Sequence, residues 1–133
     1  MTNKEQIYNV LEHLGYKPQY DDDGDIMMRY QLKHLFFITQ DDDEEHFVNI
    51  TLPQFCSVPE GQELLYFAAC NKLTRDTKMA KVFIDQTFKN ITATCEFFFD
   101  DDETLEKNIT RTLRILSIMR TTYNDCIREM SEE

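Results

Sequence analysis

The chain has 133 residues, 41% of them hydrophobic, and only 3 glycines and 3 prolines, which is the composition of a globular protein rather than a disordered one. We therefore expect one domain over residues 1–133. Because 25 acidic residues stand against 14 basic ones, the net charge is −11. Such a surface repels phosphate backbones and anionic lipid headgroups, which disfavours nucleic-acid and membrane partners.

The first predicted element is a short amphipathic helix that begins near Thr2. Thr2 and Glu5 have the spacing of a capping box, and Gly15 can end the helix in the left-handed conformation. Its apolar positions repeat with helical spacing: Ile7, Val10, Leu11 and Leu14. The segment has no secretory signal features, and no stretch approaches the roughly 18 apolar residues of a membrane helix, so we expect a cytoplasmic protein.

Three strands are predicted next, from the sequences DIMMRYQL, KHLFFITQ and EHFVNITLPQF. Aromatic and β-branched residues dominate these runs, and the links are short enough for an antiparallel meander. Pro53 should fall near an end or an edge of its strand, because proline cannot donate a ladder hydrogen bond.

The second half of the chain predicts a helix, two strands and a long C-terminal helix. The sequences are PEGQELLYFAACNKLTRDT, MAKVFIDQ, NITATCEFFF and the segment from Asp100 onward. The apolar side of the last helix comprises Leu105, Ile109, Leu113, Leu116, Met119, Tyr123, Ile127 and Met130. The predicted fold is therefore α+β, in the order α-β-β-β-α-β-β-α, with a five-stranded, mainly antiparallel sheet packed against helices on one face.

The stretch QYDDDGDIMMRY resembles the start of a calcium-binding loop. If Gly24 is placed at position 6 of such a loop, Asp21 and Asp23 fit positions 3 and 5. Gln19 and Tyr30 then occupy positions 1 and 12, where carboxylates are required. We therefore predict an acidic turn. The acidic runs at 41–45 and 100–103 leave open an alternative function, a ligand or divalent-metal sensor that uses the acidic loops.

Motifs for catalysis are missing from the sequence. No serine lies in a G-x-S-x-G turn, the histidines His13, His34 and His46 are far apart, and three glycines cannot build a phosphate cradle. We predict a non-enzymatic protein with no catalytic, cofactor-binding or metal-binding residues and no cofactor. Four scattered cysteines, Cys56, Cys70, Cys95 and Cys126, are predicted to be reduced core thiols.

Strand alternation predicts a second apolar face. If Ile26, Val82 and Phe97 face the core, then Met27, Phe83 and Phe98 face the other side of the sheet. One of the two consecutive residues 36 and 37, both phenylalanine, must join them. We predict Met27, Phe83 and Phe98 as partner-binding residues, since large exposed apolar groups are typical of an interface. The alternative is that the C-terminal helix or a loop covers them.

Two stretches resemble a known family. LEHLGYKPQYDDDGDIMMRY is similar to the first helix and strand of YbjN-type bacterial proteins, where a Leu-Gly-aromatic step ends the helix and an acidic turn opens the strand. NKLTRDTKMAKVFID resembles the exit of their second helix. These proteins share the element order of the type III secretion chaperone fold.

The resemblance implies a protein-binding module. Chaperones of this fold are generally homodimers that hold extended client segments against apolar patches, and YbjN-type members are proposed to have regulatory roles. We therefore expect a chaperone-like or regulatory adaptor that holds a protein client, with a homodimer as its assembly. An extended segment could add to a sheet edge or lie in apolar grooves.

Overall fold

The computed structural model describes residues 1–40 and 45–132, so residues 41–44 of the predicted acidic run at 41–45 lie outside them. Ten elements follow one another along the chain: α1 (Asn3–His13), β1 (Gln19–Tyr20), β2 (Ile26–Tyr30), β3 (Lys33–Ile38), β4 (Phe47–Ser57), α2 (Glu63–Asp76), β5 (Ala80–Ile84), β6 (Asn90–Phe98), α3 (Asp102–Ser117) and α4 (Met119–Ser131). The α+β class predicted from the sequence is confirmed.

The strands form one antiparallel sheet in the order β1-β2-β3-β4-β6-β5. It has six strands among the described residues, so the predicted number of five is wrong by one. The extra strand, β1, contains two residues, Gln19 and Tyr20, which pair with Met27 and Ile26. Two residues are too few to show an alternating pattern, so the sequence could not indicate this strand.

One face of the sheet packs against the helices and forms the core. The register places Ile26 opposite Phe37, Phe37 opposite Ile50, and Ile50 opposite Cys95. Buried side chains from all four helices join this cluster, including Ile7, Leu11, Leu73, Leu105, Ile109, Leu113 and Tyr123. At about 25 cal/mol per Å² of apolar surface removed from water, this shared core is the main stabilising term of the fold.

The predicted C-terminal helix is divided in two at Ile118. Ile118 lies between α3 and α4, and the Ser117 hydroxyl donates a hydrogen bond to the carbonyl oxygen of Arg114. The apolar stripe continues across the break, since Leu116, Met119 and Tyr123 are all buried. Because the apolar periodicity continues across the break, the sequence pattern could not indicate it.

Within residues 1–40 and 45–132, every helix is too short or too polar to cross a bilayer.

Pro53 lies inside β4, not at its end. The pairing of β4 with β6 shifts register between Leu52 and Cys56, and Gln54 in this bulge has a φ of 45°. A bulge interrupts the ladder, so the missing N–H of proline costs no regular strand bond there. The described pairing of β4 with β3 also stops at Thr51, so Pro53 lies at a local edge, as predicted, and only the bulge was not predicted.

Candidate protein-binding face

The second face of the sheet carries the side chains that alternate with the core. We call this the open face; its apolar members are Met27, Phe36, Ile38, Phe47, Phe83 and Phe98. Met27 lies opposite Phe36, and Phe47 lies opposite Phe98. The predicted placement of Met27, Phe83 and Phe98 on the side away from the core is confirmed, and Phe36, with Phe37 inside, is the phenylalanine that joins them.

One end of the open face is aromatic and accessible to solvent. The ring centroids of Phe47 and Phe98 are 5.0 Å apart in a tilted arrangement. Phe98 is 63% exposed and Ile38, on the neighbouring strand β3, is 42% exposed. The contact between the two rings restricts the side chains of Phe47 and Phe98. This limits the conformational entropy that they lose when a partner packs on them.

The three predicted residues do not form one cluster. Phe83 lies opposite Thr92, six positions from Phe98 along β6, which is about 20 Å of extended strand. Met27 is separated from Phe98 by the two strands β3 and β4. Phe47 and Ile38 were not predicted, although strand alternation with the buried residues Val48 and Ile50 places Phe47 on the open face.

Polar side chains fill the middle of the open face. Thr51 lies opposite Thr94, and Lys81 bonds Glu96 across neighbouring strands at 2.8 Å. The hydroxyl of Thr94 is buried and has no hydrogen-bond partner among the described residues. These groups separate Phe83 from the aromatic end, so the contiguous apolar surface lies over β3, β4 and the end of β6.

The edge of the sheet at β5 is closed by a side chain from α2. The hydroxyl of Thr74 donates to the carbonyl oxygen of Val82 at 3.1 Å and accepts from the Val82 N–H at 2.9 Å. Both outward backbone groups at the centre of β5 are therefore satisfied within the chain. Since strand addition needs these groups free, this edge is blocked for an incoming strand.

Carboxylates gather at the same end of the sheet as Phe47 and Phe98. We define the acidic end as Asp21, Asp22, Asp23, Asp25, Asp100, Asp101 and Asp102, from the turn before β2 and the segment that follows β6. The first residue of β4, Phe47, lies opposite the last residue of β6, and β2 begins at this same end of the sheet. Helix α1 braces both segments: the Gln6 amide donates to Asp102 Oδ1 at 2.9 Å, and Lys4 Nζ lies near Gly24.

The turn predicted before β2 is confirmed. Asp21 Oδ1 accepts the backbone N–H groups of Asp23 and Asp25 at 2.9 and 3.0 Å, and Gly24 has a φ of 84°. Burial, with the neighbouring charge of Asp21, raises the pKa of Asp25, while Lys4 opposes the shift. Among residues 1–40 and 45–132, no group of three or more ligating side chains could hold a metal ion.

His46 and the cysteines, the candidate catalytic side chains, have structural surroundings. His46 Nδ1 lies 2.7 Å from Asn3 Oδ1, an amide rather than a carboxylate. Burial raises the pKa of the Cys95 thiol to about 12, so it is not a nucleophile at neutral pH. Three of the predicted core thiols are buried, and Cys56 is half-buried.

Comparisons with known proteins place the chain in a family. The profile of YbjN, described as "Putative bacterial sensory transduction regulator", matches residues 3–129. Escherichia coli YbjN, described as "a putative transcription regulator", superposes with a TM-score of 0.69 over 91% of this chain and 90% of that chain, at 10% identity. An uncharacterized protein from Methanothermobacter thermautotrophicus superposes with a TM-score of 0.55 over 98% and 97%, at 13% identity. No curated protein matches the sequence. At such identities the two structures show a shared fold alone.

Proposed function

The chain belongs to the YbjN family, and from this premise we propose that it is a non-enzymatic protein-binding module, a regulatory or chaperone-like adaptor that holds a partner segment on its open face. The description of the family as a regulator supports a binding role rather than a catalytic one. The observation that carries the proposal is the ring contact between the half-buried Phe47 and the exposed Phe98, beside the exposed Ile38, because clustered aromatic groups are the usual anchors of protein interfaces.

The closed edge favours a partner that lies across the face. Thr74 occupies the backbone groups of Val82, and the opposite edge strand, β1, has only two residues. Side-chain packing on β3, β4 and β6 is therefore the available mode of binding. This differs from the strand addition that the sequence left open.

The charge beside the aromatic end indicates the chemistry of the partner. The seven carboxylates of the acidic end lie at the same end of the sheet as Phe47 and Phe98, in a protein whose net charge is −11. A partner segment with apolar residues followed by lysine or arginine could contact both the aromatic end and the acidic end. Complementary charge speeds association and excludes acidic competitors. The proposed occupant is therefore an extended, basic and apolar segment of another protein.

Selection from a random peptide display library tests this proposal. We expect enriched peptides to combine apolar residues with lysine or arginine. The double variant Phe47→Ser and Phe98→Ser should weaken their binding about tenfold or more, because it removes the central aromatic contact. Fluorescence anisotropy with the labelled peptides measures the dissociation constants.

The matched control is a second aromatic pair, in which both rings are exposed. Phe67 and Phe88, with ring centroids 6.3 Å apart, are 44% and 59% exposed, and lie away from the open face on α2 and the β5–β6 turn. The variant Phe67→Ser and Phe88→Ser should bind the selected peptides like the wild type. Enrichment of acidic peptides, or equal losses in both double variants, would contradict the proposal.

Further properties inferred from the sequence stay predictions. The homodimer is checked by sedimentation velocity, and the low affinity for nucleic acid by a titration with duplex DNA. A rise in melting temperature on calcium addition would instead support the divalent-metal sensor, because a ligand that binds only the native state stabilises it.

A further inference from the structure

A cavity opens at the end of the sheet that is opposite to the acidic end. Residues 36–38 of β3 pair with residues 49–51 of β4, and the described pairing between these strands stops there. Beyond this point β4 bulges at Pro53 and Gln54, and α4 lies alongside with Arg120 and Asn124. The resulting cavity has a volume of about 500 Å³, within the range of small-molecule sites.

The charges around this cavity are the reverse of those of the whole molecule. Lys33, His34 and Arg120 line it, and no aspartate or glutamate among the described residues does; Asp85 lies behind the wall, where it accepts a hydrogen bond from the Gln54 amide at 3.4 Å. The protein has 25 acidic residues to pair with 14 basic ones. Nevertheless, within residues 1–40 and 45–132 neither Lys33 nor Arg120 forms an ion pair, whereas Lys81, Lys107 and Arg128 do.

The remaining wall supplies hydrogen-bonding groups and an apolar surface. Gln54 and Asn124 carry amides, and Pro53 and Phe55 contribute apolar contacts. The thiol of Cys56 also lines the cavity and lies 3.5 Å from Asn124 Oδ1. Burial raises the pKa of this thiol while the charge of Arg120 lowers it, which places the guanidinium within electrostatic reach of the cavity wall.

We propose that this cavity binds a small organic phosphate, with Arg120 and Lys33 holding the phosphate group and Pro53 and Phe55 contacting the organic part. The number of cationic groups fits a dianion: a phosphate monoester carries close to two negative charges at neutral pH. Arginine matches the geometry of phosphate oxygens with two parallel hydrogen bonds, and lysine adds a point charge. This site lies at the end of the sheet opposite to Phe47 and Phe98 and goes beyond the proposed partner binding.

Titration calorimetry with phenyl phosphate tests the site. We expect saturable one-to-one binding, weaker binding of inorganic phosphate, which lacks the organic part, and none of phenol, which lacks the charge. Arg120→Gln should weaken phenyl phosphate binding about tenfold or more, because it removes a charge-assisted contact. Arg114→Gln makes the same change in charge on α3, outside the cavity, and should leave binding unchanged.

Cys56 provides a second readout that reports the location directly. It is the half-buried cysteine, whereas the other three are buried. Saturating phenyl phosphate should slow the alkylation of Cys56 by iodoacetamide. Mass spectrometry of the peptides measures the rate of this alkylation. The proposal is overturned if phenyl phosphate does not bind at millimolar concentration, if Arg114→Gln weakens binding as much as Arg120→Gln, or if bound ligand leaves the alkylation rate unchanged.

Discussion

Tyr123 shows how a single residue joins the helices to the sheet. Its side chain is fully buried, and its ring packs edge-on against Phe55 of β4 with centroids 5.7 Å apart. The hydroxyl donates to the carbonyl oxygen of Tyr66 in α2 at 3.0 Å. Burial, with Cys70 next to it, raises the pKa of Tyr123 far above its ordinary value, so the phenol stays protonated and remains a donor at every working pH.

We expect Tyr123→Phe to lower the free energy of unfolding by about 1–2 kcal/mol, the usual cost of losing a buried hydrogen bond. Tyr8→Phe is the matched control, since the half-buried Tyr8 hydroxyl donates to the carbonyl oxygen of Pro18 near solvent, where water can replace it. Urea unfolding measures both variants. A smaller loss for Tyr123→Phe than for Tyr8→Phe would contradict the role given to this bond.

At the scale of elements, helix α2 covers the outer edge of β5, which pairs with no other strand among the described residues. Thr74 Oγ1 bonds both the N–H and the carbonyl oxygen of Val82, so one hydroxyl closes the centre of the strand. Unprotected edges pair with other chains, which is why proteins cover or shorten them. The same contact that stabilises the fold therefore limits how a partner or another copy can bind.

Thr74→Val keeps the shape of the side chain and removes both bonds. We expect a loss of about 1–3 kcal/mol in the free energy of unfolding, because two backbone groups lose their partner. We also expect concentration-dependent association through β5, visible by light scattering. Thr110→Val is the control, since the Thr110 hydroxyl bonds only the carbonyl oxygen of Glu106 on an exposed side of α3. Equal behaviour of the two variants would show that the edge is not protected by Thr74.

At the scale of the whole molecule, charge is distributed unevenly. The acidic end lies at the same end of the sheet as Phe47 and Phe98, while Lys33, His34 and Arg120 line the cavity at the opposite end. With a net charge of −11, repulsion within the acidic end opposes folding. This repulsion is weakened by salt, since the screening length falls from about 30 Å at 0.01 M to about 3 Å at 1 M.

We therefore expect the melting temperature to rise as sodium chloride increases from about 0.01 M to about 0.5 M. In the variant Asp22→Asn and Asp23→Asn, which removes two exposed charges from the acidic end, the rise should be smaller. The variant Glu129→Gln and Glu132→Gln has the same net charge but keeps the acidic end intact, so it should respond like the wild type. Differential scanning calorimetry measures all three proteins. A melting temperature that falls with salt, or identical responses of the two variants, would contradict this explanation.

The sequence by itself determined the order of the long elements and the side of the sheet that each residue occupies. Both depend on local periodicity: Val82 and Phe83 alternate in a strand, and Leu105, Ile109 and Leu113 repeat in a helix. The family resemblance followed from the same local features, such as the Leu-Gly-aromatic step and the acidic turn. The sequence did not predict strand β1, because two residues are too few to show a period. It did not predict the break at Ile118, because the apolar period continues across it.

Only the tertiary structure decided which of these residues are neighbours. Strand parity placed Phe83 and Phe98 on one face but could not measure the distance between them, which depends on the pairing of β5, β4 and β6. The cavity brings residues 33 and 34 of β3 together with Arg120 of α4, far apart in the chain, because β4 bulges and the strands separate. Such contacts depend on long-range pairing and register, and no local pattern in the sequence encodes them.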